Sequence, residues 1–196
     1  AYRFNDALVN NLQYNLPFII KELILQSNSE KSQYKNVIDL GCGTGLAGQD
    51  LRDISTNLSG VDISENMVSE AEKLDIYDTL IVGDIVEKLN ASQDKFDLLV
   101  ALDVLIYIGD VQSTFKAVHK SCKSDSLFVF SVEIQDENGY SLLKSSRYAH
   151  ADEYIMDQTN GLFDLVNSQN VRLRKEGEHW IEGRIYVFRP EKILQG

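Results

Sequence analysis

The 196-residue sequence contains only two prolines, which interrupt regular structure, and two cysteines, which can cross-link a chain. It also contains a single tryptophan. The cysteines, Cys42 and Cys122, form no C-x-x-C or Cys/His cluster, so they supply neither a set of zinc ligands nor a disulfide framework. No apolar run approaches the roughly 20 residues that cross a bilayer. We therefore predict a cytoplasmic protein with no metal site and no membrane partner.

Positive charge is also scarce, because 19 lysines and arginines face 30 acidic residues and give a formal net charge of -11. Proteins that bind nucleic acids or anionic membranes usually carry a basic surface. The densest basic stretch is Arg172, Arg174 and Lys175, which we interpret as one solvated face of a strand. The composition disfavours nucleic-acid partners, and its 43% hydrophobic content is typical of a globular domain.

Short apolar runs alternate with helical patterns along the chain. Four leucines and Ile19 recur at helical spacing between residues 5 and 26, and Pro17 predicts the start of a second helix there. The segment 151–169 also reads as helical. The predicted strands are 37–40, 58–62, 80–82, 95–105, 126–134, 171–176 and 183–188. This order predicts an α/β, doubly wound, mostly parallel seven-stranded sheet with a C-terminal antiparallel hairpin, and ligands at the carboxyl ends of its strands.

The stretch "VIDLGCGTGLAG" contains two overlapping glycine patterns. Residues 43–48 read G-x-G-x-x-G, the fingerprint of dinucleotide-binding loops, whereas residues 41–45 read G-x-G-x-G. The loop begins where the first strand ends, and a dinucleotide fingerprint counted from Gly41 needs a glycine where this chain has Leu46. The early pattern is therefore favoured. An NAD-dependent oxidoreductase, which needs the late pattern, is the less favoured alternative.

An aspartate ends each of the first three predicted strands: Asp39, Asp62 and Asp84. Asp39 suits a ligand ammonium better than a pyrophosphate, which prefers amide donors and positive potential. Asp62 can accept both hydroxyls of a ribose, and Asp84 can accept the amine of adenine. The three carboxylates indicate an adenosine that carries a positively charged, amino-acid-like tail, although Asp39 and Asp84 can also simply cap turns.

In order and spacing, the segments "VIDLGCGTG", "GVDIS", "VGDI" and "FDLLVALDVLIYIG" resemble the motifs of class I S-adenosylmethionine-dependent methyltransferases. The segments "NDALVNNLQYNLP" and "SSRYAHADEYI" resemble a subgroup of predicted methyltransferases that often follow tetratricopeptide repeats, although this chain contains no such repeats. The resemblance covers essentially the whole chain. It implies a single domain, 1–196, with a helical lid in residues 1–35 and a Rossmann-like (doubly wound) core in residues 36–196.

The resemblance implies S-adenosyl-L-methionine as the cofactor and S-adenosyl-L-homocysteine as its product. In this family the glycines of the loop let the backbone approach the methionine part, because no Cβ intrudes. Ile63 and Met67 would lie beside the adenine, or they belong to the core. The residues implied to bind the cofactor are Asp39, Gly41, Cys42, Gly43, Leu46, Asp62, Ile63, Met67, Asp84, Ile85, Ala101 and Leu102.

The methyl acceptor is expected near the ends of the fourth and fifth strands, where Tyr107, Arg147 and His150 are candidate catalytic residues. Arg147 would bind a carboxylate or phosphate, and His150 would remove a proton from the acceptor. Alternatively, these residues only order a loop and lead into a helix. Asp103 is a candidate carboxylate that can equally cap a turn. The expected activity is methyl transfer to a nitrogen or oxygen of a small molecule, and the alternative is a non-catalytic cofactor-binding module.

Overall fold

The computed structural model describes residues 16–191, and within that range nine strands form one sheet with helices on both faces. The helices are α1 (Leu16–Ser27), α2 (Leu46–Arg52), α3 (Glu65–Glu72), α4 (Ile85–Ala91), α5 (Gln112–Ser121) and α6 (Asp152–Thr159). The strands are β1 (Tyr34–Leu40), β2 (Ser55–Asp62), β3 (Thr79–Val82), β4 (Phe96–Ala101), β5 (Cys122–Ile134), β6 (Tyr140–Leu142), β7 (Tyr148–His150), β8 (Phe163–Glu176) and β9 (His179–Pro190). A 3-10 turn spans Leu105–Tyr107. In this part of the chain no helix is long and apolar enough to cross a membrane.

The first five strands form a parallel sheet in the order β3-β2-β1-β4-β5. On the far side of β5, strand β9 pairs antiparallel, and β8 pairs antiparallel with β9. This arrangement confirms the predicted α/β fold with a mostly parallel sheet and an antiparallel pair at its end. Two three-residue strands were not predicted: β7 pairs with the last two residues of β5, and β6 pairs with β7.

The prediction of helix across 151–169 is wrong in its second half. Helix α6 ends at Thr159, Gly161 follows with a φ of +74°, and β8 begins at Phe163. From there the backbone pairs with β9, starting with Phe163 opposite Pro190. Apolar residues at 162, 163, 165 and 166 imitate helical spacing, but the long ladder to β9 determines the conformation because pairing satisfies the backbone hydrogen bonds.

Two apolar layers enclose the sheet. One layer, which we call the α1 face, contains residues of α1, α2 and alternate strand positions such as Val37 and Val129. The other, the α5 face, contains residues of α4, α5 and α6 and the neighbouring positions Ile38 and Phe128. Such alternation is expected of strands buried on both sides.

Helix α1 is an integral part of the α1 face. Its side chains Leu16, Ile20, Leu23 and Ile24 are buried against that face, and full burial of each contributes about 1.5–3 kcal/mol. The predicted lid comprises residues 1–35, and residues 1–15 of it lie outside the described residues. The lid therefore stays a prediction.

The strand register brings the ends of β1, β2 and β3 to one edge of the sheet. Leu40 lies opposite Val61, and Asp62 lies opposite Val82. The glycine loop, Ile63 and Gly83 therefore leave the sheet side by side, next to the end of β4. This is the edge at which doubly wound proteins bind their ligands.

Candidate functional site

The glycine loop, residues 41–45, joins β1 to α2 through three residues with positive φ: Gly41 (+74°), Gly43 (+54°) and Gly45 (+85°). A Cβ on Gly41 would lie 2.1 Å from Cγ2 of Val104, and one on Gly45 would lie 2.8 Å from Cδ1 of Leu74. A Cβ on Gly43 would meet nothing within 4 Å. Gly41 and Gly45 are therefore required by packing as well as by φ, whereas Gly43 borders open space in which a ligand can approach the backbone.

The late glycine pattern has a structural explanation without a ligand. Its third glycine, Gly48, lies within α2, where a Cβ would be 2.2 Å from the hydroxyl oxygen of Tyr77. The loop itself ends before α2 starts at Leu46, a half-buried residue at the first helical position. The structure therefore supports the early pattern that the sequence favours.

Asp62 connects the glycine loop to the end of β2. Its Oδ2 accepts a hydrogen bond from the backbone N–H of Gly43 at 2.9 Å, and its Oδ1 accepts one from Ser64 at 2.8 Å. Ser64 in turn caps α3 by accepting a hydrogen bond from the N–H of Met67. The carboxylate is half-buried, and each of its oxygens has a second lone pair available for a ribose hydroxyl.

Exposed apolar side chains lie beside Asp62 at the ends of β2 and β3. Ile63 is 75% exposed and Val82 is 43% exposed, while Met67 and Ile85 are half-buried. Asp84 is exposed at the start of α4, where its Oδ1 accepts a hydrogen bond from the N–H of Glu87 at 2.9 Å. Asp84 thus caps a helix, and its other oxygen is not used in that bond. Apolar surfaces beside two carboxylates suit a purine ring that carries hydrogen-bond donors.

Asp39 lies beneath the loop and is 1% exposed. Its Oδ2 accepts a hydrogen bond from the hydroxyl of Tyr77 at 2.7 Å. Burial, together with a smaller effect of the charge of Asp62, raises the pKa of Asp39 to about 7 against the opposing effect of the Tyr77 hydrogen bond. Sequence reasoning missed Tyr77, because nothing local marks a partner 38 residues away. A contact between Asp39 and a ligand ammonium stays a prediction.

Three further residues predicted to bind the cofactor line the sheet edge as buried apolar groups. Cys42 is 6% exposed within the loop, and burial raises the pKa of its thiol, so the thiol stays protonated. Ala101 and Leu102 are buried at the end of β4. Asp103 follows with a φ of +53°, and its N–H donates to Oγ of Ser131 on β5. The chain thus turns sharply where β4 leaves the sheet.

The candidate catalytic residues occupy different environments. Tyr107 is 65% exposed in the 3-10 turn, whereas His150 is completely buried at the end of β7. Nε2 of His150 lies 3.0 Å and 3.1 Å from the carbonyl oxygens of Ile108 and Gly109, to which it donates. Burial lowers the pKa of His150 against the effect of these hydrogen bonds. In this structure His150 holds the turn that follows Tyr107, and its role as a base stays a prediction.

Arg147 belongs to a chain of four alternating charges that connects three parts of the fold. It pairs with Glu176, whose Oε1 also accepts a hydrogen bond from Nε of Arg174 at 3.0 Å. Nη2 of Arg174 pairs with Glu133 on β5. Arg174 is only 6% exposed, so the prediction that it belongs to a solvated strand face is wrong; Arg172, with its side chain 64% exposed, fits that prediction. A buried carboxylate on β5, which is separated from β8 by β9, explains the difference.

Together, a doubly wound sheet, a glycine loop beside open space and acidic strand ends define a class of proteins that bind an adenosine-type ligand. A family model described as a methyltransferase domain matches residues 31–180. The chain belongs to this family, which confirms the methyltransferase class predicted from the motifs.

Curated relatives share only part of their length with this chain. A ubiquinone biosynthesis O-methyltransferase of Actinobacillus pleuropneumoniae serotype 7 is 23% identical over 117 residues, which are 56% of this chain and 50% of the relative. An 18S rRNA (guanine-N(7))-methyltransferase of Bos taurus is 30% identical over 94 residues, or 47% of this chain and 34% of the relative. The chain thus spans half or less of the length of these two relatives.

Solved structures share the fold more completely. An S-adenosylmethionine-dependent methyltransferase from Clostridium acetobutylicum has a TM-score of 0.73 and 21% identity, over 97% of this chain and 98% of its own. The magnesium protoporphyrin IX methyltransferase of Synechocystis, solved with S-adenosylmethionine bound, has a TM-score of 0.67 and 19% identity, over 89% and 78%. Together with the match to the methyltransferase family model, these neighbours support S-adenosylmethionine as the cofactor.

Proposed function

We propose that this protein transfers a methyl group from S-adenosylmethionine to a nitrogen or oxygen atom of a small molecule. The observation that carries the proposal is the joint position of Gly43 and Asp62. The open space beside Gly43 lies next to a carboxylate that is already fixed by two backbone N–H groups. A ligand with a ribose and an adjacent amino-acid tail matches this arrangement, since the carboxylate and the loop face it together.

S-adenosylmethionine supplies an activated methyl group when it is bound, and the protein supplies binding and alignment. Asp62 would bind the ribose hydroxyls, Ile63 and Met67 would cover the adenine, and Asp84 would accept its amine. Gly41 and Gly43 would face the methionine part, with Asp39 as the candidate for its ammonium. Orientation of two reacting groups can itself contribute roughly 7–11 kcal/mol to a transfer reaction.

We propose Tyr107, Arg147 and His150 as residues of the acceptor side, with Tyr107 at its exposed rim. The relatives include enzymes named for a quinone precursor pathway and for rRNA. A net charge of -11 argues against an RNA acceptor, because phosphate contacts need basic side chains. We therefore favour a small molecule, and we place the protein nearest to the subgroup that often follows tetratricopeptide repeats.

We also propose that the N-terminal lid, predicted in residues 1–35, covers the cofactor when it binds. Limited proteolysis with and without S-adenosylhomocysteine tests this idea. Protection of sites within residues 1–15 is expected, and equal cleavage rates with and without the product would refute it. A non-catalytic module that binds the cofactor remains the second candidate, because binding motifs alone do not establish turnover.

The decisive experiment is calorimetric titration of the protein with S-adenosylmethionine, S-adenosylhomocysteine and NAD. Micromolar binding of the two sulfur compounds is expected. Asp62→Ala should lose this binding, whereas Asp164→Ala, which changes an exposed aspartate on β8, should keep it. Binding of NAD alone would refute the proposal. Production of S-adenosylhomocysteine with any acceptor would then exclude the non-catalytic module.

A further inference from the structure

The charged chain that includes Arg174 lies at the same edge of the sheet as the proposed cofactor site. Glu133 is the second-last residue of β5, and Ser131, two residues earlier, receives the N–H of Asp103 from the end of β4. Arg174 interacts with the charge of Asp103 as well as with Glu133. Burial lowers the pKa of Arg174, but the two acidic partners and Glu176 more than reverse this effect, so the guanidinium is charged.

Arg174 has a donor that the described part of the protein does not use. Its Nε bonds to Glu176 and its Nη2 to Glu133, whereas its Nη1 is buried and has no hydrogen-bond partner within residues 16–191. Nε of Arg147 is buried and without a partner in the same range, although Arg147 shares the Glu176 oxygen. A buried donor without a partner costs free energy. Both arginines bond to Glu176 and each has such a donor, which indicates that a hydrogen-bond acceptor is missing here.

The charges nearby restrict what that missing group can be. Two guanidinium groups face three carboxylates, those of Glu133, Glu176 and Asp103. An additional anion would be repelled by this negative excess, while an ammonium group has no lone pair to accept a hydrogen bond from a guanidinium. An uncharged oxygen meets both conditions. The need for an uncharged group and the need for an accepting lone pair both hold whichever side chain removes a proton from the methyl acceptor.

We propose that Arg174 is an acceptor-binding residue and that the methyl acceptor presents an uncharged oxygen, of a hydroxyl or carbonyl group, to its Nη1. This inference rests on the proposed function, because it takes the ends of β4 and β5 as the acceptor side. Arg147 adds a second donor from the turn between β6 and β7. The four-residue charged chain thus selects the acceptor through hydrogen bonds rather than through net charge.

Binding of a matched ligand panel tests the inference without requiring turnover. The probes are p-cresol, cyclohexanol and benzamide for uncharged oxygen, benzylamine for ammonium and benzoate for carboxylate. Each is titrated by saturation-transfer NMR into the protein saturated with S-adenosylhomocysteine. At least one uncharged oxygen compound is expected to bind at least fivefold tighter than benzylamine and benzoate. That preference should be lost in Arg174→Lys, which keeps the positive charge but lacks the planar guanidinium with its fixed N–H donors. It should be retained in Arg172→Lys, which changes an exposed position on the same strand.

Equal or tighter binding of benzylamine or benzoate would overturn the inference, and so would absence of binding by every uncharged oxygen compound. An unchanged preference in a folded Arg174→Lys protein would overturn it too. If circular dichroism shows that this variant is unfolded, Arg147→Lys replaces it under the same criteria. If the wild-type protein binds no S-adenosylhomocysteine, the proposed function is refuted. The panel is then titrated without S-adenosylhomocysteine, and the preference for uncharged oxygen compounds decides whether the inference holds.

Discussion

The carboxylate of Asp62 accepts the backbone N–H of Gly43 at 2.9 Å and thereby fixes the glycine loop to the end of β2. Its second oxygen accepts the N–H of Ser64, which starts helix α3. One side chain therefore joins three elements at the edge where the ligand is proposed to bind. Because both bonds use backbone donors, the carboxylate is oriented before any ligand arrives, which reduces the conformational entropy lost on binding.

Asp62→Asn is expected to weaken binding of S-adenosylhomocysteine at least tenfold. The amide has only one accepting oxygen, so one of the two backbone N–H groups loses its partner and faces another donor. The same loss should lower the free energy of unfolding by about 1–3 kcal/mol. Calorimetric titration and urea denaturation measure the two effects. Unchanged affinity in the folded variant would show that Asp62 only maintains the loop.

Gly43→Ala separates ligand contact from backbone strain. Gly43 and Gly161 both have positive φ, and a Cβ at either position would meet nothing within 4 Å. Alanine should therefore cost a similar amount of stability at both sites, about 1–2 kcal/mol. Only Gly43→Ala should reduce the affinity for S-adenosylhomocysteine, by at least tenfold, because its methyl group fills the space beside the loop. An equal reduction in both variants would contradict this assignment.

Ile63→Ser tests the proposed adenine surface. Ile63 is 75% exposed, so its replacement should change the free energy of unfolding by no more than about 0.5 kcal/mol. A ligand that covers the side chain would nevertheless lose apolar contact, and we expect its affinity to fall about fivefold to tenfold. Leu165→Ser, on β8 at an exposed position, is the matched control and should bind normally. Normal binding by Ile63→Ser would place the adenine elsewhere.

Local sequence patterns were sufficient for most of the fold and for the positions of the glycine loop and the strand-end aspartates. Nearly continuous apolar runs such as 96–101 identify buried parallel strands, because such strands are covered on both faces. The glycine loop follows β1 directly in the sequence, and the aspartates lie at or just after the ends of their strands. Their convergence then follows from the topology of a doubly wound sheet, which brings the carboxyl ends of its strands to one edge.

Contacts between distant residues could not be predicted in this way. The hydroxyl of Tyr77 donates a hydrogen bond to Asp39 because the two residues pack together beneath the glycine loop. Nothing in the sequence around either residue indicates this contact. Arg174 reads as solvated because its partner Glu133 lies on another strand, 41 positions away. The helical pattern at 162–166 is likewise overruled by pairing with β9. In each case the deciding interaction is tertiary, whereas the pattern is local.

The pKa of Asp39 predicts how stability depends on pH. Burial raises this pKa from 3.8 to about 7 in the folded protein. Between about pH 4 and pH 7 the folded state therefore retains a proton that the unfolded state has lost, so the contribution of Asp39 to stability decreases as pH rises through this window. The decrease is at most about 4 kcal/mol, since one pKa unit corresponds to about 1.36 kcal/mol.

Asp39→Asn should remove this decrease, because the amide does not ionise and its oxygen can still accept the hydroxyl of Tyr77. Urea denaturation from pH 4.5 to pH 8 is expected to show the variant gaining stability relative to wild type as pH rises. Asp94→Asn, at an exposed position, removes the same formal charge and should run parallel to wild type. If Asp39→Asn also ran parallel, the folded protein would hold Asp39 ionised throughout, and a preformed negative charge would await the cofactor ammonium. If it diverges as expected, binding near pH 6 must release the Asp39 proton for that ammonium contact to form.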